Sequence, residues 1–446
     1  MNTRERGWRY ESHTPSLPEI HSSLPIPRSP SFLRKLVAFA GPGFLVAVGY
    51  MDPGNWATDL AAGSRYNYRL LFVIMVSNLL AILLQSLCIK LGVVTGRDLA
   101  QACRDHFSRP MSIFLWILAE IAIAACDLAE VVGSAIALQL LFGIPLIWGV
   151  CITALDVLLI LFLENKGFRY IEAIVVTLVA TIGVCFGLEI LFSKPEFSGI
   201  LSNMFIPSTQ IIRDREMLYI AIGILGATVM PHNLYLHSAV VQTRDFDRTP
   251  EGKREAIKFC NIDSAVALTF ALFVNSAILI VSAATFYRTG NHQVAEIGDA
   301  YQLLSPLLGV VGASTIFALA LLASGQNSTL TGTLAGQIIM EGFINIRVKP
   351  WLRRLITRMI AIIPTVIITA LRGESGTAQL LILSQVILSL QLSFAVFPLV
   401  MFTSDKLKMG EFVNPRWMKT LAWSAAVLIA SLNAWLLVQT FREWIA

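Results

Sequence analysis

The 446-residue sequence predicts an all-α protein that crosses a membrane many times. Hydrophobic residues make up 55% of the chain and charged residues only 14%, whereas soluble domains carry about 25% charge. The mean hydropathy is +0.68. The apolar residues form uninterrupted runs long enough to cross the hydrocarbon core, which takes about 20 residues. These observations exclude a soluble globular protein, a disordered chain and a coiled coil.

Eleven apolar runs, separated by charged or turn-rich breaks, are predicted to be membrane-spanning helices. Their approximate limits are 36–62, 69–95, 111–140, 145–164, 170–193, 217–241, 258–287, 307–344, 352–371, 378–403 and 418–441. The eighth run is interrupted by a polar stretch at 324–329. Residues 1–35 are rich in Pro, Ser and Arg, which predicts a disordered cytoplasmic tail.

The basic residues between these runs predict the orientation of the chain. The N-terminal tail and the loops on its side carry 25 Lys and Arg, against 8 on the other side. Because cytoplasmic loops are enriched in Lys and Arg, we expect the N-terminus inside and, after eleven spans, the C-terminus outside. The same distribution accounts for the net charge of +5 without a nucleic-acid partner.

Two of the runs contain helix-breaking residues near their middle: 52–55 (Asp-Pro-Gly-Asn) in the first and 230–232 (Met-Pro-His) in the sixth. Proline removes a backbone donor and glycine loosens the backbone. Either break alone could be an ordinary kink of a membrane helix. As a pair they occupy matching places in two sets of five runs, which predicts an inverted-repeat transporter with a binding site at the membrane midplane.

This repeat predicts the division of the chain. After the tail, we expect a first five-helix repeat at 36–193, an extracellular connection at 194–216 and a second five-helix repeat at 217–403. A loop and the eleventh helix follow at 404–446.

The broken-helix motifs resemble the signature pair of the Nramp family, specifically its bacterial manganese-transporter branch. The similarity runs from about Pro42 to Leu437 and includes 323–329 (Ala-Ser-Gly-Gln-Asn-Ser-Thr) and 332–337 (Gly-Thr-Leu-Ala-Gly-Gln). The resemblance implies a LeuT-type fold and proton-coupled uptake of divalent transition metals.

The side chains at the two breaks predict a metal site. Asp52 offers a carboxylate oxygen, Asn55 an amide oxygen and Met230 a thioether, and the resemblance implies that the Ala227 carbonyl is a further ligand. A thioether suits Mn²⁺, Fe²⁺, Co²⁺ or Cd²⁺ better than Mg²⁺ or Ca²⁺. Met230 could instead fill space in the core. Gln385, in the tenth run, could join the site or make an interhelical hydrogen bond.

Carboxylates in the third run predict a proton route. At 100° per residue, Asp127 lies about 20° from Glu120 and Glu130 about 80° from it, so the three share one helical face. Intramembrane carboxylates of this kind mark proton relays. Arg353 and Arg354, which open the ninth run, could pair with Asp127 or Glu130. The same pairs could instead hold the fold in register without moving protons.

Two histidines follow the second break. His232 adjoins the predicted metal site and suits proton exchange near neutral pH. The resemblance implies a proton pathway through the positions of Asp52, Asp127, Glu130 and His232, with the arginines beyond. His237 is expected to make an interhelical hydrogen bond, whereas Asp156 and Asn275 are intramembrane polar residues without an assigned role. Glu172, near a span end, is expected to reach toward the interface.

The sequence therefore predicts a proton-coupled secondary transporter of the plasma membrane that imports Mn²⁺, and also Fe²⁺, Cd²⁺ and Co²⁺. Its expected partners are the metal ion, the proton and the lipid bilayer, with no resident cofactor, and a monomer is compatible with this. A Mg²⁺ carrier, a Na⁺-coupled amino-acid carrier of the same fold and a metal channel remain alternatives. An enzyme is not expected, because no HExxH motif occurs.

Overall fold

The computed structural model describes residues 7–10, 14–27, 31–156, 158, 162, 166–292, 294, 296–372 and 376–445, and its architecture is helical. The helices of the first half are α1 (Phe32–Phe39), α2 (Pro42–Gly49), α3 (Pro53–Tyr66), α4 (Leu71–Thr95), α5 (Leu99–His106), α6 (Arg109–Phe142), α7 (Leu146–Ile152) and α8 (Phe168–Ser193).

The second half continues the helical architecture. Its helices are α9 (Phe197–Phe205), α10 (Gln210–Arg213), α11 (Arg215–Thr228), α12 (Pro231–Val240), α13 (Pro250–Thr285), α14 (Ile297–Leu308), α15 (Ala313–Ile344), α16 (Pro350–Arg372), α17 (Thr377–Thr403), α18 (Lys406–Met409) and α19 (Arg416–Ile445). Two short strands, β1 (Leu24–Pro25) and β2 (Arg244–Asp245), pair in parallel.

Among the described residues, seven helical stretches are long and apolar enough to cross a membrane, and the pair α1–α2, bent by 45°, makes an eighth. The all-α membrane class is thus confirmed, while the number of eleven spans stays a prediction. Helices α15 and α16 cover the eighth and ninth predicted spans. The fourth, at 145–164, lies partly outside the described residues.

Both predicted helix breaks are present. Helix α2 ends at Gly49 and α3 begins at Pro53, with Asp52 as its N-cap: the carboxylate accepts a hydrogen bond from the backbone N–H of Asn55. Helix α11 ends at Thr228, and α12 begins at Pro231. Proline suits the first position of a helix, because no intrahelical partner awaits its missing N–H there. Each break is therefore the start of a new helix.

The polar stretch in the eighth run does not interrupt its helix. Helix α15 runs through it, and its hydroxyls donate to carbonyls one turn earlier: Thr329 to Gly325 at 3.0 Å and Thr333 to Thr329 at 2.7 Å. Local bonding of this kind satisfies small hydroxyl side chains inside an apolar helix. The stretch therefore supplies a polar face, not a break.

Close packing brings the first break against neighbouring helices. Trp56 on α3 is fully buried, with ring centroids 4.8 Å from Phe186 on α8 and 5.1 Å from Phe317 on α15. Gly133 on α6 faces the ring of Pro53, where a Cβ would overlap it. These contacts fix the start of α3 in the middle of the helix bundle.

The N-terminal segment differs from the expected disordered tail over its described residues. Trp8 is 3% exposed, with the Arg97 guanidinium 4.7 Å above its ring and Phe402 5.6 Å away. Ser16 donates to Asp98 at 2.6 Å. Composition alone suggests disorder, but these partners come from loops and helix ends distant in sequence, so the segment docks.

The loops on the side of this segment meet at one end of the bundle, which we call the N-terminal face. There Lys35 pairs with Glu255, and Arg254 pairs with Glu411 at 2.6 Å. At the opposite face, Arg65 lies 3.5 Å from Glu216. The loops that the sequence assigns to one side of the membrane therefore contact one another.

Candidate metal-transport site

The two breaks bring oxygen atoms together around one amide. Asp52 Oδ1 accepts from the backbone N–H of Asn55 at 2.8 Å and from Asn55 Nδ2 at 2.7 Å. The same Nδ2 donates to the Ala227 carbonyl, on the other broken helix, at 3.1 Å. Asp52 Oδ2 has no hydrogen-bond partner among the described residues. Three of the predicted ligand residues thus converge.

This arrangement suits a cation. The amide NH₂ group of Asn55 separates two acceptors, the Asp52 carboxylate and the Ala227 carbonyl, which would otherwise repel each other. Turning the carboxamide by about half a turn would present Oδ1 instead. The oxygens of Asp52, Asn55 and Ala227 would then lie around one position, and carboxylate and carbonyl oxygens are ligands that divalent cations such as Mn²⁺ accept.

Met230 adjoins this group as the N-cap of α12. It is fully buried and packs with Ala122, Cys126 and Leu388. Met230 follows Ala227 by three residues across the break between α11 and α12. Its role as the sulfur ligand of the metal stays a prediction.

Gln385 lies between the two broken helices. A Cβ on Gly54 would overlap its carboxamide, and Gly226 packs against its backbone carbonyl. Nε2 donates to the neighbouring Ser384 hydroxyl at 3.1 Å, while Oε1 has no partner among the described residues. The alternative predicted for this side chain, an interhelical hydrogen bond, is not found among the residues that the structure describes.

A second layer of polar side chains supports the first break. Asn275 donates to the Tyr50 carbonyl at 2.8 Å and to Asn55 Oδ1 at 3.4 Å. Gln85 donates to the Tyr50 hydroxyl at 2.9 Å, and its Oε1 lies 2.9 Å from His237 Nδ1. The interhelical role predicted for His237 is confirmed. Sequence reasoning missed Gln85 and Tyr50, although intramembrane polar residues are expected to have partners.

The carboxylates of α6 meet arginines of α16. Arg354 pairs with Asp127 Oδ1 and, at 2.8 Å, with Glu130 Oε2, so this predicted pairing is confirmed. Asp156 joins them: its Oδ2 lies 3.3 Å from Arg354 Nη2 and accepts from Arg358 Nε at 2.8 Å. All five side chains are buried. We call these residues the carboxylate–arginine cluster.

Glu120 lies apart from this cluster. Its carboxylate pairs with Arg353 at 2.8 Å and accepts from Trp116 Nε1 at 3.1 Å, and its side chain is 26% exposed. The alternative in which Arg353 pairs with Asp127 or Glu130 is therefore wrong. Adjacent arginines point about 100° apart on a helix, so Arg353 and Arg354 face different parts of α6. Glu120, which Arg353 meets, lies two turns, about 10 Å, before Asp127.

Cys126 connects the second break with the cluster. Its Sγ lies 3.8 Å from His232 Nε2 and donates to Glu130 Oε1 at 3.6 Å. His232 Nδ1 has no partner among the described residues. The predicted proton-pathway residues His232 and Glu130 are thus separated by the thiol of Cys126, a residue that the sequence analysis did not single out.

The N-terminal end of α2 is fastened by hydrogen bonds and an ion pair at the N-terminal face. Asp263 accepts from the backbone N–H of Gly43 at 2.7 Å and of Gly41 at 3.2 Å. Arg244 pairs with Glu172 at 2.6 Å and donates to the Ala40 carbonyl at 2.5 Å. Glu172 is 3% exposed, so the expectation that it reaches toward the interface is wrong. Its buried guanidinium partner holds it inside.

Gly41 is required at this fastening. Its φ is +134°, and a Cβ there would overlap the Glu172 carboxylate. The predicted ligand residues behind it are sealed from solvent, none being more than 1% exposed: Asp52, Asn55, Ala227, Met230 and Gln385.

Broken helices at matching positions, with buried polar groups at both breaks, define a membrane transporter of the inverted-repeat class. A solved structure of Mhp1, a nucleobase-cation-symport-1 family transporter in a closed conformation, has a TM-score of 0.59 at 15% identity, covering 89% of this chain and 92% of that one. This likeness concerns the fold alone, and with it the predicted LeuT-type architecture is confirmed.

The sequence of the chain is more specific than its fold. A sequence model described as Nramp, natural resistance-associated macrophage protein-like, matches residues 43–439. The divalent metal cation transporter MntH of Nostoc sp. is 68% identical over 431 residues, 97% of each chain. Its namesake from Listeria monocytogenes is 65% identical over 439 residues, 98% of each chain.

A crystal structure gives the same result. The Eremococcus coleocola manganese transporter, in complex with an aromatic bis-isothiourea substituted compound, has a TM-score of 0.88 and 44% identity, covering 94% of this chain and 90% of that one. This chain belongs to the Nramp family, as the resemblance of its two motifs predicted.

Proposed function

We propose that this protein imports divalent transition-metal ions, Mn²⁺ foremost and Fe²⁺, Co²⁺ and Cd²⁺ as well, by proton-coupled alternating access. The convergence of Asp52, Asn55 and the Ala227 carbonyl from two broken helices carries the proposal. Its high-identity relatives are named divalent metal cation transporters, and a similar solved structure is named a manganese transporter. The metal and the proton are substrates, and no enzymatic activity is proposed.

Met230 supplies the discrimination in this proposal. Its sulfur is a poor ligand for Mg²⁺ and Ca²⁺, which prefer oxygen, and an acceptable one for Mn²⁺, Fe²⁺ and Cd²⁺. Gln385, whose Oε1 has no hydrogen-bond partner among the described residues, adds an oxygen when the ion is bound. A Mg²⁺ carrier is disfavoured by the same thioether, and an amino-acid carrier by Asp52, whose charge would repel a substrate carboxylate.

The fastening of α2 supplies a gate. Release toward the N-terminal face requires that Asp263 let go of Gly41 and Gly43, and that the Arg244–Glu172 pair separate from the Ala40 carbonyl. The breaks at both ends of the site allow the half-helices to move as separate rods.

The proton route of this proposal leaves the site through His232 and Cys126 and reaches the carboxylate–arginine cluster. Buried carboxylates that share guanidinium partners can pass a proton without exposing a bare charge. Arg353 and its partly exposed partner Glu120, on the same helices, would continue the route toward the N-terminal face.

We further propose that the N-terminal face is cytoplasmic and that the membrane is the plasma membrane, with the C-terminus outside. The excess of Lys and Arg on that face supports this orientation. Labelling of single cysteines introduced at Glu411 and at Glu216 with a membrane-impermeant reagent in whole cells tests it. Only the second position is expected to react, and the reverse pattern would contradict the orientation.

Uptake of Mn²⁺ into proteoliposomes tests the proposed transport. We expect saturable uptake, stimulated by an inward proton gradient, accompanied by internal acidification and resistant to excess Ca²⁺ or Mg²⁺. Preloaded Mn²⁺ should accelerate uptake by exchange, which a channel does not show. Uptake that rises linearly with Mn²⁺, or that Mg²⁺ abolishes, would contradict the proposal in favour of a channel or a Mg²⁺ carrier.

A further inference from the structure

Asp156 is an intramembrane carboxylate to which neither the broken-helix motifs nor the predicted proton stripe gives a role. It follows the 3-10 turn Thr153–Leu155 at the end of α7 and is 7% exposed. Its Oδ2 accepts from Arg358 through both Nε and Nη2, and Arg354 Nη2 lies 3.3 Å away. Asp156 therefore contacts both arginines of the cluster.

The cluster does not balance its charges. It holds three carboxylates, Asp127, Glu130 and Asp156, against two guanidinium groups, Arg354 and Arg358. With every group ionised, the net charge is one negative unit. A net charge buried in the membrane is costly, and one bound proton removes it.

Neighbouring groups do not correct this imbalance. Arg353 is already paired with Glu120, and Cys126 is a neutral thiol that donates to Glu130. Thr329, which bridges Asp156 and Arg358, carries no charge. Among the described residues in contact with the cluster, none supplies a third cation.

The contacts indicate where the bound proton resides. Asp156 Oδ2 meets three guanidinium nitrogens, Nε and Nη2 of Arg358 and Nη2 of Arg354, while its Oδ1 has no partner among the described residues. This concentration of positive charge favours an ionised carboxylate. Glu130 has only its Oε2 near guanidinium nitrogens, at 2.8 Å from Arg354 and 3.4 Å from Arg358, and its Oε1 faces a thiol. Asp127 pairs with one guanidinium nitrogen, Arg354 Nη1, through its Oδ1, and its Oδ2 has no partner among the described residues. The exchangeable proton therefore belongs to the Asp127–Glu130 pair.

We propose that Asp156, held ionised by Arg358, is a positioning residue for proton coupling: its charge obliges the Asp127–Glu130 pair to carry one exchangeable proton. The proton arrives from the side of the metal site and leaves toward the N-terminal face, while Asp156 keeps its charge throughout. This inference rests on the proposed proton-coupled metal transport.

The variant Asp156→Asn tests the inference in proteoliposomes by measuring Mn²⁺ uptake and internal acidification together. It leaves two carboxylates and two guanidinium groups, which balance without a proton. We expect loss of Mn²⁺-driven acidification while Mn²⁺ uptake and calorimetric Mn²⁺ binding persist. Unchanged acidification per Mn²⁺ would overturn the role of Asp156. If the unaltered protein does not take up Mn²⁺ at all, the proposed function itself is overturned.

The double variant Asp156→Asn with Arg358→Gln supplies the second measurement. It leaves two carboxylates and one guanidinium, so the net charge returns to one negative unit. We expect restored acidification, a result that a merely structural role for Asp156 does not give. Because no unpaired partner remains buried, this variant also serves if the single variant does not fold. Acidification still absent from folded, Mn²⁺-transporting double variant would overturn the inference.

Glu189→Gln is the matched control. Glu189 lies on α8, is fully buried, and neither carboxylate oxygen has a hydrogen-bond partner among the described residues. Its replacement removes a carboxyl group of the same kind outside the cluster. We expect an unaltered ratio of acidification to Mn²⁺ uptake, and a loss equal to that of Asp156→Asn would overturn the charge-balance explanation.

Discussion

Asp98 holds the docked N-terminal segment against α5, and its replacement by asparagine makes a quantitative prediction. As the N-cap of α5 it accepts from the Gln101 N–H at 2.8 Å, and it accepts from the Ser16 hydroxyl at 2.6 Å. The side chain is 1% exposed. Burial raises the pKa of Asp98 from 3.8 to about 6, although these hydrogen bonds act in the opposite direction.

The sign of the effect follows from proton linkage. The folded protein binds this proton more tightly than the unfolded chain, so the stabilisation is complete below pH 3.8 and is lost as the pH rises through about 6. A difference of about two pKa units corresponds to about 3 kcal/mol in total, of which about 1.4 kcal/mol falls between pH 5 and 7.5. Asparagine caps a helix equally well but cannot ionise.

Thermal unfolding in detergent at pH 5 and pH 7.5 measures this difference. Relative to the unaltered protein, Asp98→Asn should gain about 1.4 kcal/mol of stability on going from pH 5 to pH 7.5. Asp214→Asn, which makes the same substitution at the exposed N-cap of α11 on the opposite face, is the matched control for the change of side chain. Identical pH profiles for the Asp98 variant and the unaltered protein, or a relative loss at pH 7.5, would refute the reasoning.

Three further predictions concern the site. Met230→Ala should keep part of the Mn²⁺ uptake but admit Ca²⁺ or Mg²⁺, because only oxygen ligands remain; competition assays measure this, and unchanged selectivity would remove Met230 as the filter. Asp52→Asn should weaken Mn²⁺ binding in calorimetry more than about tenfold, at least 1.4 kcal/mol, and retained affinity would place the site elsewhere. Glu130→Gln should reduce acidification more than Mn²⁺ flux, and Asp127→Asn likewise; an equal loss of both would argue against a separate proton route.

The features that sequence reasoning predicted well are those set by local chemistry. Proline at 53 and 231 cannot continue an apolar helix, so both breaks follow from the sequence wherever the neighbouring helices lie. Likewise, an arginine inside the membrane needs a carboxylate, and the stripe on α6 offered one to Arg354. Which of two adjacent arginines would face Asp127 depends on the rotation of α16, which the sequence does not specify.

The features it missed depend on partners distant in the chain. Trp8 stands in a Pro- and Ser-rich stretch that has the composition of a disordered tail, yet its ring packs on Phe402, nearly 400 residues away. Glu172 was expected at the interface because it lies near the end of a span. Only the fold brings Arg244 beside it, so the sequence did not reveal this partner. Asp156 had no visible role for the same reason, since Arg358 reaches it across the bundle.

The docked N-terminal segment ties together parts of both five-helix repeats. It bonds to α5 through Ser16, to the end of α15 through the Leu17 N–H and Glu341, and to β2 through its own strand. In the proposed transport cycle, a movement of α2 that opens the site toward the N-terminal face would therefore either separate β1 from β2 or move β1 together with α2. A bulky fusion partner at the amino terminus would therefore hinder the movement of α2. Reporter proteins and affinity tags are better placed at the carboxyl terminus.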